Sequence, residues 1–231
     1  MKLSANTLKL IAVIAMTIDH IAYVFVPPDS VLYFIMRIIG RLTAPLMAFL
    51  LVEGFHHTRN RRRYLGRLLV FALISQPFYS LMISGSLNVM YTFAVSLIML
   101  GIVDNKRINV CVKVILSGLC LMLSLLGDWA YWIPIWCLMF YKFRGNFKYQ
   151  AIAFGLVSAI MTMHQIMSFG IGNTIFFVQF GVLLSLIPMS MYNGKRGGQA
   201  KNKVFNAISE RGAYIYYPLH LGFLIALNQI L

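Results

Sequence analysis

Residues 8–26 read LKLIAVIAMTIDHIAYVFV, an apolar run in which Asp19 and His20 follow each other just past the midpoint. About 20 apolar residues are needed to cross the hydrocarbon core of a bilayer, so this stretch is predicted to be a transmembrane helix. An ionisable side chain at the centre of a membrane costs roughly 2.5 to 3.5 kcal/mol on insertion scales. Two such side chains in one span therefore indicate a functional site.

Apolar runs of this kind recur along the whole chain. Of its 231 residues, 60% are hydrophobic and 11% are charged, whereas a soluble domain carries about 25% charged residues. The pattern predicts an all-α, polytopic transmembrane helix bundle, with one integral membrane domain over residues 1–231 and neither a soluble appendage nor a cleavable signal peptide. The spans, about nine in number, are predicted at residues 8–26, 31–55, 64–83, 87–103, 109–126, 128–141, 149–167, 172–191 and 205–229.

The net charge of +14 follows the connections between these spans. The connections HHTRNRRRY, VDNKRIN, YKFRGNFK and NGKRGGQAKNK are basic, whereas VPPDS, ISGSLN, LLGD and MSFGIGN contain no Lys or Arg. Cytoplasmic loops carry the excess of Lys and Arg, so the N-terminus and the basic connections are predicted inside, and the C-terminus outside. Because topology accounts for the charge, we expect no nucleic-acid partner.

Arg37 and Arg41 lie within the second span rather than at its end. They are four residues apart and therefore share one face of a helix. Since Asp19 lies at a similar depth on the preceding span, an ion pair between Asp19 and one of the two arginines is predicted. Neighbours on a helix point about 100° apart, so Asp19 and His20 are expected to have different partners. An Asp–Arg pair between helices can also be purely architectural.

Further polar residues are predicted near the two ends of the spans. Glu53 and His56 lie at the cytoplasmic end of the second span. Asn88 and Thr92 lie at the outer start of the fourth span, and Asp128 begins the sixth. Polar groups at both ends of the bundle predict a path between the two faces of the membrane.

Two histidines at membrane depth, His20 and His220, are candidates for a general base that takes a proton from a nucleophile. Arg41 or Asn88 is a candidate to polarise a carbonyl oxygen. The three cysteines show no metal-ligand spacing, and we expect no metal. These residue types favour acyl transfer.

The basic loop after the second span contains Arg59, Arg61, Arg62 and Arg63. A guanidinium group can donate two parallel hydrogen bonds to a phosphate. This loop is therefore predicted to bind the phosphates of an acyl-CoA on the cytoplasmic side. A run such as Arg61–Arg63 is more often a determinant of topology than a ligand site.

Five segments in this order resemble the TraX family over nearly the whole chain: LKLIAVIAMTIDHIAYVF, IIGRLTAPLMAFLLVEGFHHTRNRRRYLGRLLVFALISQPF, NVMYTFAVSLIML, GDWAYW and YIYYPLHLGFLI. The family is named for the protein that acetylates the N-terminus of F-type pilin, and it is distantly similar to multi-span membrane acyltransferases. The usual Asp-Tyr-Gly pattern appears here as Asp128-Trp129-Ala130, so the outer acceptor pocket is expected to differ. The resemblance supports seven residues as members of the site: Asp19, His20, Arg41, Glu53, Asn88, Asp128 and His220.

The leading hypothesis is an acyltransferase in the bacterial cytoplasmic (inner) membrane, with acetyl-CoA as co-substrate. The acceptor would be a peptide N-terminal amine or another small amine or hydroxyl. The predicted catalytic residues are His20, Asp19, His220, Arg41 and Asp128. The predicted cofactor-binding residues are Arg59, Arg61, Arg62, Arg63, Glu53 and His56, and the predicted substrate-binding residues are Arg37, Asn88 and Thr92.

Two other functions remain open from the sequence. A small ion- or proton-coupled transporter could use Asp19, Arg41 and Asp128 as a relay, and Gly40 and Pro45 in the second span are compatible with the broken helices of transporters. A noncatalytic assembly protein would keep the same charges for stability alone.

Overall fold

A computed structural model describes residues 2–169, 175–197 and 203–230, and in these ranges the chain is helical with no strands. This confirms the predicted all-α class. The helices are α1 (Ala5–Phe25), α2 (Val31–Gly40), α3 (Thr43–His57), α4 (Arg61–Met82), α5 (Val89–Asp104), α6 (Val110–Ser124), α7 (Trp132–Lys142), α8 (Phe147–Phe169), α9 (Ile175–Gln179), a 3₁₀ helix (Phe180–Ser185), α10 (Leu186–Ser190) and α11 (Lys203–Ile230).

Six of the described helices begin at a polar side chain that accepts a hydrogen bond from the first turn. Serine and asparagine are favoured there because their oxygens satisfy backbone N–H groups that have no partner within the helix. These local signals explain why the predicted and observed boundaries of most helices agree within a few residues. The capping residues are Ser4, Ser30, Asn60, Asn88, Asn109 and Asn146.

Within the described part of the chain, four helical segments are long and apolar enough to cross a membrane: 5–25, 31–57, 61–82 and 147–168. Three shorter apolar segments, 89–104, 110–124 and 177–190, accompany them. The largest buried side chains include Trp136, Phe140 and Phe154, which form an aromatic cluster. The structure thus has the composition of a membrane-embedded helical bundle.

The second predicted span is not one helix, because it is interrupted at Arg41 and Leu42 between α2 and α3. Two residues explain the interruption. Pro45 has no N–H to donate to the carbonyl of Arg41, four residues earlier. Gly40 lies against Asp19 of α1 so closely that a Cβ atom would overlap the carboxylate. The interruption therefore places Arg37 and Arg41 at the point where α1 and α2 are in closest contact.

The eighth predicted span is also interrupted. Residues 175–190 form two short α-helices joined by a 3₁₀ helix, while residues 172–174 of the prediction and part of its flanking connections lie outside the described residues. Gly181 approaches the backbone of Ile38 in α2, where any Cβ would overlap the Ile38 carbonyl oxygen. The α-helix gives way to a 3₁₀ helix here because the segment packs directly on the backbone of α2.

The connections gather at two opposite ends of the bundle. At the basic end, two ion pairs join the basic connections to neighbouring helix ends, Arg61–Asp104 at 2.6 Å and Arg144–Glu53 at 2.7 Å. The backbone N–H of Leu3 also donates to the carbonyl oxygen of Met191 at 2.7 Å. At the neutral end, the connections without Lys or Arg meet through Leu87–Leu126 (2.7 Å) and Asp128–Leu87 (2.8 Å). This separation is the arrangement that the alternating charge pattern predicts.

Candidate functional site

A cavity of about 120 Å³ lies where α1, the α2–α3 interruption, α5, the turn before α7 and α11 meet. We call it the central cavity. Its polar lining includes Asp19, His20, Arg37, Arg41 and Asp128. Four of the five residues predicted as catalytic are therefore brought together, with one of the predicted substrate-binding residues.

Asp19 forms ion pairs with both arginines of the second span. Arg37 Nη1 donates to Asp19 Oδ2 at 2.7 Å, and Arg41 Nη2 donates to Asp19 Oδ1 at 3.3 Å. The predicted Asp19–Arg contact is thus confirmed. Arg41 Nε is buried and has no hydrogen-bond partner among the described residues, so this N–H remains available to a ligand in the cavity.

His20 pairs with His220 rather than with its neighbour Asp19. His20 Nδ1 lies 2.7 Å from His220 Nε2, and His220 Nδ1 lies 3.0 Å from the carbonyl oxygen of Tyr216. A carbonyl only accepts hydrogen bonds, so His220 carries its proton on Nδ1 and, when neutral, accepts at Nε2. His20 must then donate from Nδ1, which leaves a lone pair on His20 Nε2. Since His20 lines the cavity, it is the better candidate for a base.

The contact between α1 and α11 is fixed one helical turn away by a second hydrogen bond. Thr17 Oγ1 lies 2.7 Å from the hydroxyl oxygen of Tyr216. The Tyr216 ring also stacks on His220, with centroids 5.0 Å apart. These contacts restrict the rotation of the His220 ring, so its Nε2 is held towards His20.

Asp128 lies in the turn that precedes α7, not at the start of a helix as predicted. Its Oδ1 accepts from the backbone N–H of Trp129 at 2.9 Å. The ring centre of Trp129 lies 5.1 Å from the guanidinium carbon of Arg41. Both Asp128 and Trp129 face the central cavity because the backbone adopts positive φ at Trp129 (61°) and Ala130 (41°).

Replacing Ala130 by glycine is expected to stabilise the protein. A left-handed backbone costs an alanine roughly 1–2 kcal/mol, partly offset by the greater chain entropy of glycine when unfolded. We expect the free energy of unfolding to rise by about 0.5 to 1 kcal/mol, measured by thermal unfolding in detergent. The control is Ala153→Gly, inside α8, which should lower the free energy of unfolding by a similar amount. If both variants change the free energy of unfolding in the same direction, the turn at Ala130 is not strained.

A second cavity, of about 410 Å³, opens at the basic end, and we call it the Glu53 cavity. It shares Met47, Met90, Phe93 and Ala213 with the central cavity, so the two cavities are adjacent. The basic residues in its lining are Lys9, Arg67 and Arg196. These residues give the opening a positive character suited to phosphate groups.

Glu53 is a buried carboxylate at the centre of a polar network. Arg144 Nε donates to it at 2.7 Å and the Tyr192 hydroxyl donates at 3.3 Å, while His57 Nε2 lies 3.5 Å away. The hydrogen bond to Glu53 raises the pKa of Arg144, and burial beside the carboxylate raises the pKa of Tyr192 to about 12. The raised pKa values keep Arg144 charged and Tyr192 neutral at physiological pH, so both continue to donate to Glu53.

The arginines predicted to bind phosphate lie outside the lining of the Glu53 cavity. Arg59, Arg61, Arg62 and Arg63 are exposed, and Arg61 pairs with Asp104 at 2.6 Å. His56 likewise stacks on Tyr141 and does not line this cavity.

Arg67 is not among the residues predicted to bind phosphate, although helical spacing contains a signal for it. Arg67 lies three residues after Tyr64, which is buried, and residues three apart share a helix face. Arg67 is exposed, and its guanidinium lies 5.6 Å from the centre of the Tyr64 ring. Lys9 and Arg196 come from elements far apart in the chain, and no local pattern groups them with Arg67.

Asn88 and Thr92 were predicted to bind substrate, and the structure places both outside the cavity linings. Asn88 Nδ2 donates to the carbonyl oxygen of Ala72 at 2.7 Å and to Gln76 Oε1 at 2.8 Å. Thr92 Oγ1 donates to the carbonyl oxygen of Asp128 at 2.8 Å. The two residues anchor the start of α5 and the Asp128 turn.

A third cavity, of about 640 Å³, opens near the neutral end, and we call it the Gln179 cavity. It shares Tyr23, Arg37 and Arg41 with the central cavity. The Glu53, central and Gln179 cavities are therefore neighbours and follow one another from one end of the bundle towards the other. Sequence reasoning did not identify Gln179, because a single glutamine in an apolar segment carries no motif.

Comparisons with known proteins give a family match and a relative. The profile of a family described as "TraX protein" matches residues 4–228. The chain is 34% identical over 244 aligned residues to "Probable fimbrial assembly protein FimC, serogroup H1" of Dichelobacter nodosus, with 99% of this chain and 97% of that protein covered. No solved structure matches. The family match covers every residue named above in the three cavities.

Proposed function

Since the chain belongs to the TraX family, we propose that it is an integral membrane acyltransferase that moves the acetyl group of acetyl-CoA to an amine, with a peptide N-terminus as the acceptor. The observation that carries the proposal is the His20–His220 pair, which leaves a nitrogen lone pair on His20 in the central cavity, between the other two cavities. The printed name of the relative, a fimbrial assembly protein, supports an acceptor that belongs to a protein subunit.

In the proposed topology the chain crosses the bacterial inner membrane about nine times, with the basic end in the cytoplasm. The gathering of the described basic connections at one end supports this orientation. The Glu53 cavity then opens to cytoplasmic acetyl-CoA. The Gln179 cavity opens towards the outer face.

The Glu53 cavity would bind the phosphates of CoA through Lys9, Arg67 and Arg196. The pantetheine chain would pass Met47, Met90 and Phe93 into the central cavity, since these apolar side chains line both spaces. The thioester would then lie beside His20, and no part of the donor would need to cross the whole membrane.

The proposed reaction is a direct transfer. The lone pair of the amine attacks the thioester carbonyl carbon, forming a C–N bond, while His20 Nε2 takes the proton that the nitrogen loses. The C–S bond then breaks, and the CoA thiolate takes that proton from His20. The products are an amide and free CoA, and no oxidant or reductant is required.

Arg41 is the proposed group that stabilises the negative oxygen of the tetrahedral intermediate. Its Nε has no partner among the described residues and is buried beside the cavity. A fixed donor of this kind in a water-poor site lowers the barrier because it requires no reorganisation during the reaction. Asp19 balances the charge of Arg41 and holds its guanidinium in place.

The test is acetyl transfer by the purified protein in lipid nanodiscs, with labelled acetyl-CoA and a short synthetic peptide that has a free N-terminal alanine. We expect label on the peptide amine and stoichiometric release of CoA. A peptide whose N-terminus is already acetylated serves as the control acceptor. Absence of transfer to the free amine, with both substrates shown to bind, would contradict the proposal.

Replacing Arg67 by glutamine is expected to raise the KM for acetyl-CoA about tenfold, because a hydrogen bond to a charged phosphate contributes about 1.5 to 3 kcal/mol. The KM for the acceptor should not change. Arg62→Gln is the matched control, since Arg62 is exposed on the same helix and does not line the cavity. A larger effect of Arg62→Gln than of Arg67→Gln would place the donor on the loop rather than in the Glu53 cavity.

A transporter is the second candidate, and the interruptions in the second and eighth predicted spans favour it. Such interruptions expose backbone groups to a ligand near the middle of a membrane. Flux of protons or ions into proteoliposomes without any CoA would support this function. Flux that is absent while acetyl transfer proceeds would exclude it as the main activity.

A further inference from the structure

Gln179 carries a buried amide oxygen that has no hydrogen-bond partner among the described residues. The residue is only 7% exposed, and it lines the Gln179 cavity. A buried acceptor left without a partner costs roughly 1–3 kcal/mol. An apolar residue at this position would avoid that cost, so the oxygen is best explained by a ligand that donates to it.

The backbone around Gln179 is held firmly. Two residues later, Gly181 lies directly on the backbone of α2, where its missing side chain leaves room for Ile38 and Arg41. The chain changes from α-helix to 3₁₀ helix at Phe180, and Val178 is buried. The position of Gln179 relative to Arg41 is thus determined by close packing of the two segments.

The walls of the cavity fit a chain with apolar side groups. Tyr33 and Phe34 line it, and the loop with Pro28 and Asp29 forms its rim at the neutral end. The guanidinium of Arg37 lies 5.8 Å from the Tyr33 ring centre. A volume of about 640 Å³ lies within the usual range of ligand pockets.

The charges around the cavity are largely compensated. Arg37 and Arg41 line both this cavity and the central cavity, but both pair with Asp19, and Asp29 lies at the rim. Such surroundings suit a neutral donor, and a main-chain N–H is neutral and needs one acceptor oxygen.

We infer that the Gln179 cavity binds the acceptor peptide, with Gln179 Oε1 accepting a hydrogen bond from a main-chain N–H close to the reacting amine. This inference rests on the proposed acyl transfer and assigns the acceptor's place in it. The peptide enters from the neutral end, and its terminal amine reaches His20 past Tyr23, Arg37 and Arg41, the residues common to both cavities.

The experiment compares Gln179→Leu with Gln165→Leu. Gln165 on α8 also has a buried oxygen without a partner among the described residues, but it does not line the three cavities. We expect Gln179→Leu to raise the KM for the alanine-terminated peptide about tenfold, because the peptide loses one hydrogen bond. The KM for acetyl-CoA should stay unchanged, and the Tm should not fall. Gln165→Leu should leave both KM values unchanged.

Binding of the same peptide, labelled with fluorescein at its C-terminal end, is measured by fluorescence polarisation without acetyl-CoA. A tenfold weaker Kd for Gln179→Leu supports the acceptor site even if the wild-type protein transfers no acetyl group, in which case only the proposed function fails. An unchanged acceptor KM and Kd in Gln179→Leu overturn the inference while acetyl transfer stands. A lower Tm for Gln179→Leu with unchanged peptide Kd likewise overturns it, because the amide would then be structural.

Discussion

The variant His20→Gln is expected to lose acetyl transfer by a factor of roughly a hundred to ten thousand in kcat, the contribution of a positioned general base. Glutamine has similar size and can still hydrogen-bond to His220, but it cannot take a proton. The KM for acetyl-CoA and the Tm should change little. The measurement is steady-state transfer of labelled acetyl to the peptide in nanodiscs.

Variants of His220 separate its positioning role from catalysis. His220 Nε2 accepts from His20 Nδ1, and the amide oxygen of glutamine can occupy that position whereas leucine offers no acceptor. We expect His220→Gln to keep more activity than His220→Leu, with kcat affected and KM preserved. His164→Gln is the matched control, since His164 is exposed on α8 and contacts Tyr131 rather than the cavity. Full turnover in His20→Gln would exclude His20 as the base.

The variant Asp19→Asn is expected to destabilise the protein by about 3–5 kcal/mol, the usual cost of breaking a buried ion pair by removing one partner. Arg37 and Arg41 would both lose the carboxylate that now lies 2.7 Å and 3.3 Å away. Two unpaired guanidinium groups inside an apolar bundle are costly. Thermal unfolding in detergent should show a lower Tm for this variant, and acetyl transfer should be lost.

A second substitution tests this electrostatic explanation. Adding Arg37→Met to Asp19→Asn removes one of the two uncompensated charges, so the double variant should be more stable than Asp19→Asn alone. Arg61→Gln is the comparison for an exposed pair, because Arg61 and Asp104 are 46% and 31% exposed, and its effect should be at most about 1 kcal/mol. Equal destabilisation by Asp19→Asn and Arg61→Gln would contradict a special role for the buried cluster.

Local patterns of sequence were sufficient for several features of the site. The four-residue spacing of Arg37 and Arg41 placed both on one face, and the short connection after residue 26 made α1 and α2 neighbours. The Asp19 contacts follow from these two facts and are present in the structure. The prediction that Asp19 and His20 would have different partners is confirmed for the same reason, because adjacent helical residues point in different directions.

Other predictions failed because turns and close packing depend on neighbours far away in the chain. The second span was predicted at residues 31–55 and is found at 31–57, but the exact place of its local break, where Gly40 packs on Asp19, did not follow from the sequence. Asp128 was predicted to begin a helix, whereas a turn with two positive φ angles places it in the central cavity. Both features need contacts that periodicity does not report.

The sequence by itself determined the helical membrane class, the alternation of basic and neutral connections, the family and the Asp19–Arg pairing. Hydropathy, loop charge and helical spacing can be read locally, because each depends on residues within about one span. The tertiary structure decided that His20 meets His220, 200 positions later. It also decided which basic residues line the Glu53 cavity and that Gln179 faces the third cavity. Cavities form where several packed helices leave space, so their linings depend on the relative positions of segments that no local pattern relates.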